Sequence, residues 1–172
     1  MNFLILFLVA LVISAIGFKK FVWFISLGYG FSIAGIGVAL LILFRGNLSP
    51  VTVILSLLLV VYGCRLGGYL LVRERKSASY QNTMKNDIKD GSGMNFFLKV
   101  LVWASCALLY VCEASPVLFR LQNNAPTDAV SIVGTVIMAL GIVLESASDL
   151  TKNKYKKEHP KRFCDVGLFK LV

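Results

Sequence analysis

Two carboxylates and two lysines stand at helical spacing in the stretch from Gly141 to Val172, GIVLESASDLTKNKYKKEHPKRFCDVGLFKLV. At about 100° per residue, Glu145, Asp149, Lys152 and Lys156 fall on one narrow stripe of a helix. Neither Gly nor Pro occurs between Gly141 and Pro160, so a single helix can pass unbroken from the apolar run into the basic tail. Carboxylates accept hydrogen bonds from amides and hydroxyls, and ammonium groups neutralise phosphates. Acid beside an apolar run with base beyond it suits a long polar ligand that carries phosphates.

A second set lies in YGCRLGGYLLVRE, where Tyr62, Arg65, Tyr69 and Arg73 share one helical face by the same count. Arg65 is about 12 Å of rise from Arg73, and Glu145 is about 10 Å from Lys152. Arg65 and Glu145 could therefore meet at one depth, either as a salt bridge that locks two helices or as part of a ligand site. Charges inside apolar runs are costly unless paired or facing a wet cavity, which singles out Arg65, Glu113, Glu145 and Asp149. Glu113 stands about 21 Å of rise beyond Lys99 and reads as an interfacial carboxylate rather than an acid catalyst.

The elements that must position these residues are membrane helices. Hydrophobic residues make up 57% of the chain and mean hydropathy is +0.76, in runs too long for a soluble core. Five spans are expected, over 2–18, 21–44, 51–72, 96–119 and 129–150, with a basic helix or tail over 151–172. The fold class is an all-α polytopic bundle in one membrane domain. The first run lacks a basic segment before it and a small-residue cleavage site after it, so it reads as a retained helix rather than a signal peptide. Gly28, Gly30, Gly35 and Gly37 in the second span point to close helix contact.

The net charge of +9 would suggest nucleic acid in a soluble chain. Here Lys and Arg collect at Lys19 and Lys20, between Arg73 and Lys89, and beyond Leu150, so topology accounts for the charge and no nucleic-acid partner is expected. The positive-inside rule puts those segments in the cytoplasm, the C-terminus with them and the N-terminus outside. That means the inner membrane in a bacterium or the endoplasmic reticulum in a eukaryote. Cys64, Cys106, Cys112 and Cys164 form no CxxC pair and have no His at ligand spacing, so no metal site or disulfide scaffold is indicated. His159, the single histidine, reads as part of a surface loop.

Tyr62-Gly-Cys-Arg65-Leu-Gly-Gly-Tyr69 followed by Arg73, then Gly141-x-x-x-Glu145-x-x-Ser148-Asp149, then Gly167-Leu168-Phe169, resemble the steroid 5α-reductase family in its uncharacterised branch. The resemblance runs from about Tyr62 onward and rests on short motifs in a shared order and spacing. It implies a membrane reductase that uses NADPH to reduce a carbon–carbon double bond conjugated to a carbonyl in a lipophilic substrate. By position, Glu145 corresponds to a polar cofactor-contacting residue that is Asn in the steroid reductases, Asp149 to the Asp of their Ser-Asp pair, Lys156 to a basic residue further along that helix, and Tyr62 to the tyrosine that contacts the substrate carbonyl. Arg65 and Tyr69 then fall to the structure of the substrate pocket.

The chemistry is coherent in its own right. Hydride reaching the β-carbon of an enone leaves negative charge on the carbonyl oxygen, and an O–H donor such as Tyr62 stabilises it. Lys152, Lys156 and Arg73 or Arg75 suit the phosphates, while Glu145 and Asp149 suit amide or ribose groups. No GxGxxG motif follows a strand, so the cofactor site is not of the Rossmann kind. The carboxylate that steroid reductases carry in their second span has no counterpart in Phe21 to Phe44. The family continues past its GLF or GLW turn with a further cofactor-binding segment, and the present sequence stops at Val172, so it is expected to be incomplete as an enzyme, whether a fragment, a truncated gene product or a decayed relative. Two other classes fit the same spans: a membrane methyltransferase of the isoprenylcysteine type, which would take S-adenosylmethionine, and a non-catalytic membrane protein in which the buried charges only fix packing.

Overall fold

The computed structural model describes residues 1–76, 93–159 and 162–171, and all regular structure among them is helical. Among the described residues five α-helices follow in order: α1 (Asn2–Ser14), α2 (Leu27–Leu43), α3 (Pro50–Lys76), α4 (Phe96–Gln122) and α5 (Ala129–Glu158). Short 3-10 turns occupy Ala15–Phe18, Phe21–Phe24 and Gly167–Leu171. Among the described residues four segments are long and apolar enough to cross a membrane: Phe21–Leu43, Pro50–Lys76, Phe96–Gln122 and Ala129–Glu158. The run Asn2–Phe18 is a shorter apolar helix. The chain is an integral membrane protein in its fold class, as the apolar runs indicate. Lys85 and Lys89, counted above among the cytoplasmic charges, lie outside the described residues.

The chain divides into two compact units, residues 1–128 and 129–172. In the first, α2 is the central element, and it packs most extensively on α3 and also on α1 and α4. Glycine sets the α2–α3 distance. A Cβ on Gly63 would collide with the backbone of Gly30 and Ala34, and one on Gly37 would come within 2.8 Å of the Ser56 carbonyl. Lipid tails are as apolar as leucine, so helices in a bilayer gain by close van der Waals approach, which small residues permit. The glycines of the second span therefore serve contact.

The second span starts at Phe21 as expected, but its α-helix begins only at Leu27, after the Phe21–Phe24 turn. The Ser26 hydroxyl donates to the Val22 carbonyl at 2.9 Å, and Ser26 has ψ near −88°, which separates the Phe21–Phe24 turn from the helix. Aromatic packing holds that turn: Phe24 meets Phe18 edge-on at 5.1 Å, and Phe18 meets Trp103 of α4 at 5.1 Å. The α3 helix outlasts its apolar run and carries Glu74 beyond it. The Glu74 carboxylate accepts from Lys20 Nζ and from Trp23 Nε1, each at 2.6 Å, and so fastens the turn to the end of α3.

Polar groups in the apolar layer are satisfied locally, as a medium without water requires. Pro116 inside α4 has no N–H for the Cys112 carbonyl, and the Ser115 hydroxyl donates to that carbonyl at 2.7 Å instead. Ser14 Oγ donates to the Ala10 carbonyl and accepts from Trp103 Nε1, joining α1 to α4.

In the second unit, α5 runs without interruption from Ala129 to Glu158, past the apolar run and into the basic segment. Its hydroxyls turn back onto their own helix, with Ser146, Ser148 and Thr151 donating to carbonyls four residues earlier. Val130, Val133, Ile137, Leu140 and Val143 are exposed along it, a surface that lipid tails solvate. After the helix the Gly167–Leu171 turn packs back on α5. Gly167 takes φ +61°, the left-handed region that favours glycine, and a Cβ there would lie 3.0 Å from Thr151 Cγ2.

Candidate functional site

The first unit holds a polar array within its apolar layer. The hydroxyls of Tyr29 on α2 and Tyr62 on α3 are 3.1 Å apart and half-buried. They face each other there because the Gly30–Gly63 contact draws the two helices together. Tyr110 of α4 packs its ring 5.2 Å from that of Tyr29 and donates its own proton to the Phe24 carbonyl. The Glu113 carboxyl, one turn further along α4, lies in the neighbourhood of the Tyr29 hydroxyl. Helices α2, α3 and α4 thus each contribute an oxygen to one locus.

Beyond Tyr62 on the same helix, the Arg65 and Arg73 guanidiniums each lie 5.9 Å from the centre of the Tyr69 ring, one from either side along the helix. The shared face expected from spacing is real, and its centre is an aromatic ring between two cations. Tyr62, Arg65, Tyr69 and Arg73 all belong to the first unit.

The second unit carries the other set. Glu145, Asp149, Lys152 and Lys156 line one side of the continuous α5 over about 16 Å of rise. Glu145, Asp149 and Lys156 are half-buried and Lys152 is exposed. Lys156 Nζ donates to the Arg162 carbonyl at 2.6 Å, which ties the segment after the helix to the basic end of the stripe. His159 is not a loose loop residue, for its ring stacks on Tyr155 at 4.9 Å and 22°. Tyr155 lies past the apolar part of α5, and burial together with a hydrogen bond from its hydroxyl to Asp165 holds its phenol above the ordinary range. Cys164, beside Asp165, is buried.

One residue of this array was missed from the sequence: Tyr29 stood in a glycine-rich run that pointed only to packing. A signal was present: Tyr29 and Tyr62 lie at similar distances on either side of the loop around Asn47, so an antiparallel helix pair brings them to nearly one depth. A separate opening of about 300 Å³ lies near that loop, lined by Asn47, Ser49, Thr52, Arg120 and Asn124. Arg120 is engaged there by the Pro126 carbonyl at 2.6 Å and by Asp128 at 3.1 Å, so it serves the loop. Among the described residues no cluster of three His, Cys, Asp or Glu could hold a metal ion.

Fold and sites together define an all-helical integral membrane protein with hydroxyl and carboxyl groups inside its apolar layer and a graded acid-to-base stripe on its last helix. The chain belongs to the family described as "protein of unknown function (DUF1295)", whose model matches residues 6–172. No curated protein and no solved structure matches it.

Proposed function

We propose that this protein is a membrane-embedded NADPH-dependent reductase, or the N-terminal portion of one, acting on a carbon–carbon double bond conjugated to a carbonyl in a lipophilic substrate. The observation that carries the proposal is the Tyr62 hydroxyl, a half-buried O–H within an apolar helix layer whose oxygen is held by Tyr29 at 3.1 Å. A carbonyl oxygen brought to Tyr62 finds a donor in a low-dielectric setting, where a hydrogen bond to developing negative charge counts most. A substrate dissolved in the bilayer reaches such a group without crossing water. The sequence motifs that resemble the steroid 5α-reductases put the same residue in the same role.

The donor set on α5 fits the cofactor by its chemistry. Glu145 and Asp149 are acceptors suited to the carboxamide and ribose hydroxyls, and Lys152 and Lys156 are cations suited to the phosphates. The order along the helix, acid within the apolar run and base beyond it, matches a ligand whose reactive ring goes toward the membrane and whose phosphates stay in water. Arg73, at the basic end of α3, is a further cation for a phosphate. NADPH when bound supplies the hydride, and what the chain supplies is binding, orientation and the proton donor at Tyr62. The distribution of Lys and Arg puts the basic ends and the C-terminus in the cytoplasm, with the N-terminus outside, in a bacterial inner membrane or the endoplasmic reticulum.

The test is thermal unfolding of the full-length protein in lipid nanodiscs with and without NADPH. At a hundredfold excess over Kd, NADPH should stabilise the fold by about 2.7 kcal/mol. Asp149→Ala and Lys156→Ala should each remove most of that gain, and equal stabilisation of both variants and the wild type would remove the α5 assignment.

A further inference from the structure

We infer that the opening between the α2–α3 loop and the end of α4 binds a singly charged phosphate group, of the kind a phospholipid headgroup carries. The site stands apart from the proposed reductase chemistry and does not depend on that reading.

The opening, of about 300 Å³, gathers Asn47 and Ser49 from the loop, Thr52 from the first turn of α3, and Arg120 and Asn124 from the end of α4. From Pro50 to Lys76, α3 rises about 39 Å, more than the roughly 30 Å of a hydrocarbon core. Its first turn therefore reaches the headgroup layer on one face of the membrane, while its basic end reaches the other. The opening lies at the first of these, where lipid phosphates sit. Leu48 and Leu121 give the lining an apolar side, and Phe119, next to Arg120, is exposed as a lipid-facing residue would be.

The hydroxyls of the opening are committed to the start of α3. Thr52 Oγ1 accepts from the Ser49 N–H at 3.0 Å and donates to the Ser49 carbonyl at 2.9 Å, and Ser49 Oγ accepts from the Thr52 N–H at 3.3 Å. Asn47 and Asn124 hold their turns through backbone N–H groups, bonded to the Phe44 and Leu121 carbonyls, which leaves two exposed amides as donors. Arg120 supplies the charge. A guanidinium has five N–H bonds. Nη2 of Arg120 meets the Pro126 carbonyl at 2.6 Å and the Asp128 carboxylate at 3.1 Å. Its Nε is buried and has no hydrogen-bond partner among the described residues. The loop contacts thus explain Nη2 and not Nε. A buried donor without an acceptor is costly, and an anion oxygen is the strongest acceptor for it.

Charge selects among anions. Asp128 already balances much of the Arg120 charge, so a doubly charged phosphate would bring an excess of negative charge. A phosphodiester brings one charge, and its two unesterified oxygens can accept from the guanidinium and from an amide together.

The experiment follows thermal unfolding of the full-length protein in a phosphate-free sugar detergent. The titrants are a short-chain phosphatidylglycerol, the matching diacylglycerol and inorganic phosphate. Tm should rise with phosphatidylglycerol and not with diacylglycerol. Arg120→Lys keeps a cation for Asp128 but removes the Nε donor. Asn124→Asp sets a negative charge at the opening, and Asp tolerates the φ of +47° found there. Each variant should bind phosphatidylglycerol about tenfold more weakly, as expected for one charge-assisted hydrogen bond. If Arg120→Lys does not fold, Asn124→Asp decides. A rise with inorganic phosphate that Asn124→Asp weakens also supports the phosphate site, and moves its source from the bilayer to the water. The inference is overturned if neither phosphate-bearing titrant raises Tm, if diacylglycerol raises it as much as phosphatidylglycerol, or if Asn124→Asp binds like the wild type.

Discussion

The two units handle polar groups in opposite ways. In the first, Tyr29, Tyr62 and Tyr110 come from three helices and meet because those helices pack closely. In the second, Glu145, Asp149, Lys152 and Lys156 come from one helix and are aligned by its period alone. The first arrangement depends on tertiary contact and is sensitive to a single methyl group. The second depends on an unbroken helix and tolerates change between its members. In the proposed reductase, the first would hold a reacting atom still and the second would follow the length of an extended ligand.

The sharpest way to break this comparison is to add one methyl group to each unit. Gly63→Ala puts a Cβ into the backbone of Gly30 and Ala34 and should cost about 3 kcal/mol in thermal unfolding. Gly141→Ala meets nothing within 4 Å and should be neutral or slightly stabilising through helix propensity. Equal costs would mean that close packing is not what separates the units. Glu74→Gln weakens the clip to Lys20 and Trp23 and should cost about 1–2 kcal/mol, read as faster hydrogen exchange over the Phe21–Phe24 turn. Unchanged exchange there would show that aromatic packing alone holds the turn. Gly167→Ala forces a side chain into φ +61° beside Thr151 and should cost about 1 kcal/mol, confined to proteolysis of the segment after α5. A loss of NADPH response in that variant would extend the stripe's ligand site to the turn.

What the sequence disclosed follows the same division. The α5 stripe was legible because helical period and the lack of Gly or Pro between Gly141 and Pro160 are local properties. The Tyr69 ring between Arg65 and Arg73 was legible for the same reason. The start of α2 was not, since the Ser26 hydroxyl and the Phe18, Phe24 and Trp103 rings decide it, and Trp103 is contributed by another helix. Glu74 lies past the apolar run of α3, and its partners are more than fifty residues upstream, so no window along the chain contains the contact. Tyr29 needed the α2–α3 and α2–α4 contacts before it had a meaning. An arrangement set by one helix was readable, and one that needs three helices was not.

The central claim is that the α5 stripe is a dinucleotide site, and the most direct measurement is thermal unfolding of the full-length protein in nanodiscs with NADPH against S-adenosylmethionine. The account predicts a rise in Tm with NADPH that Asp149→Ala abolishes, and none with S-adenosylmethionine. A rise with S-adenosylmethionine alone, or no response to either ligand, would contradict it.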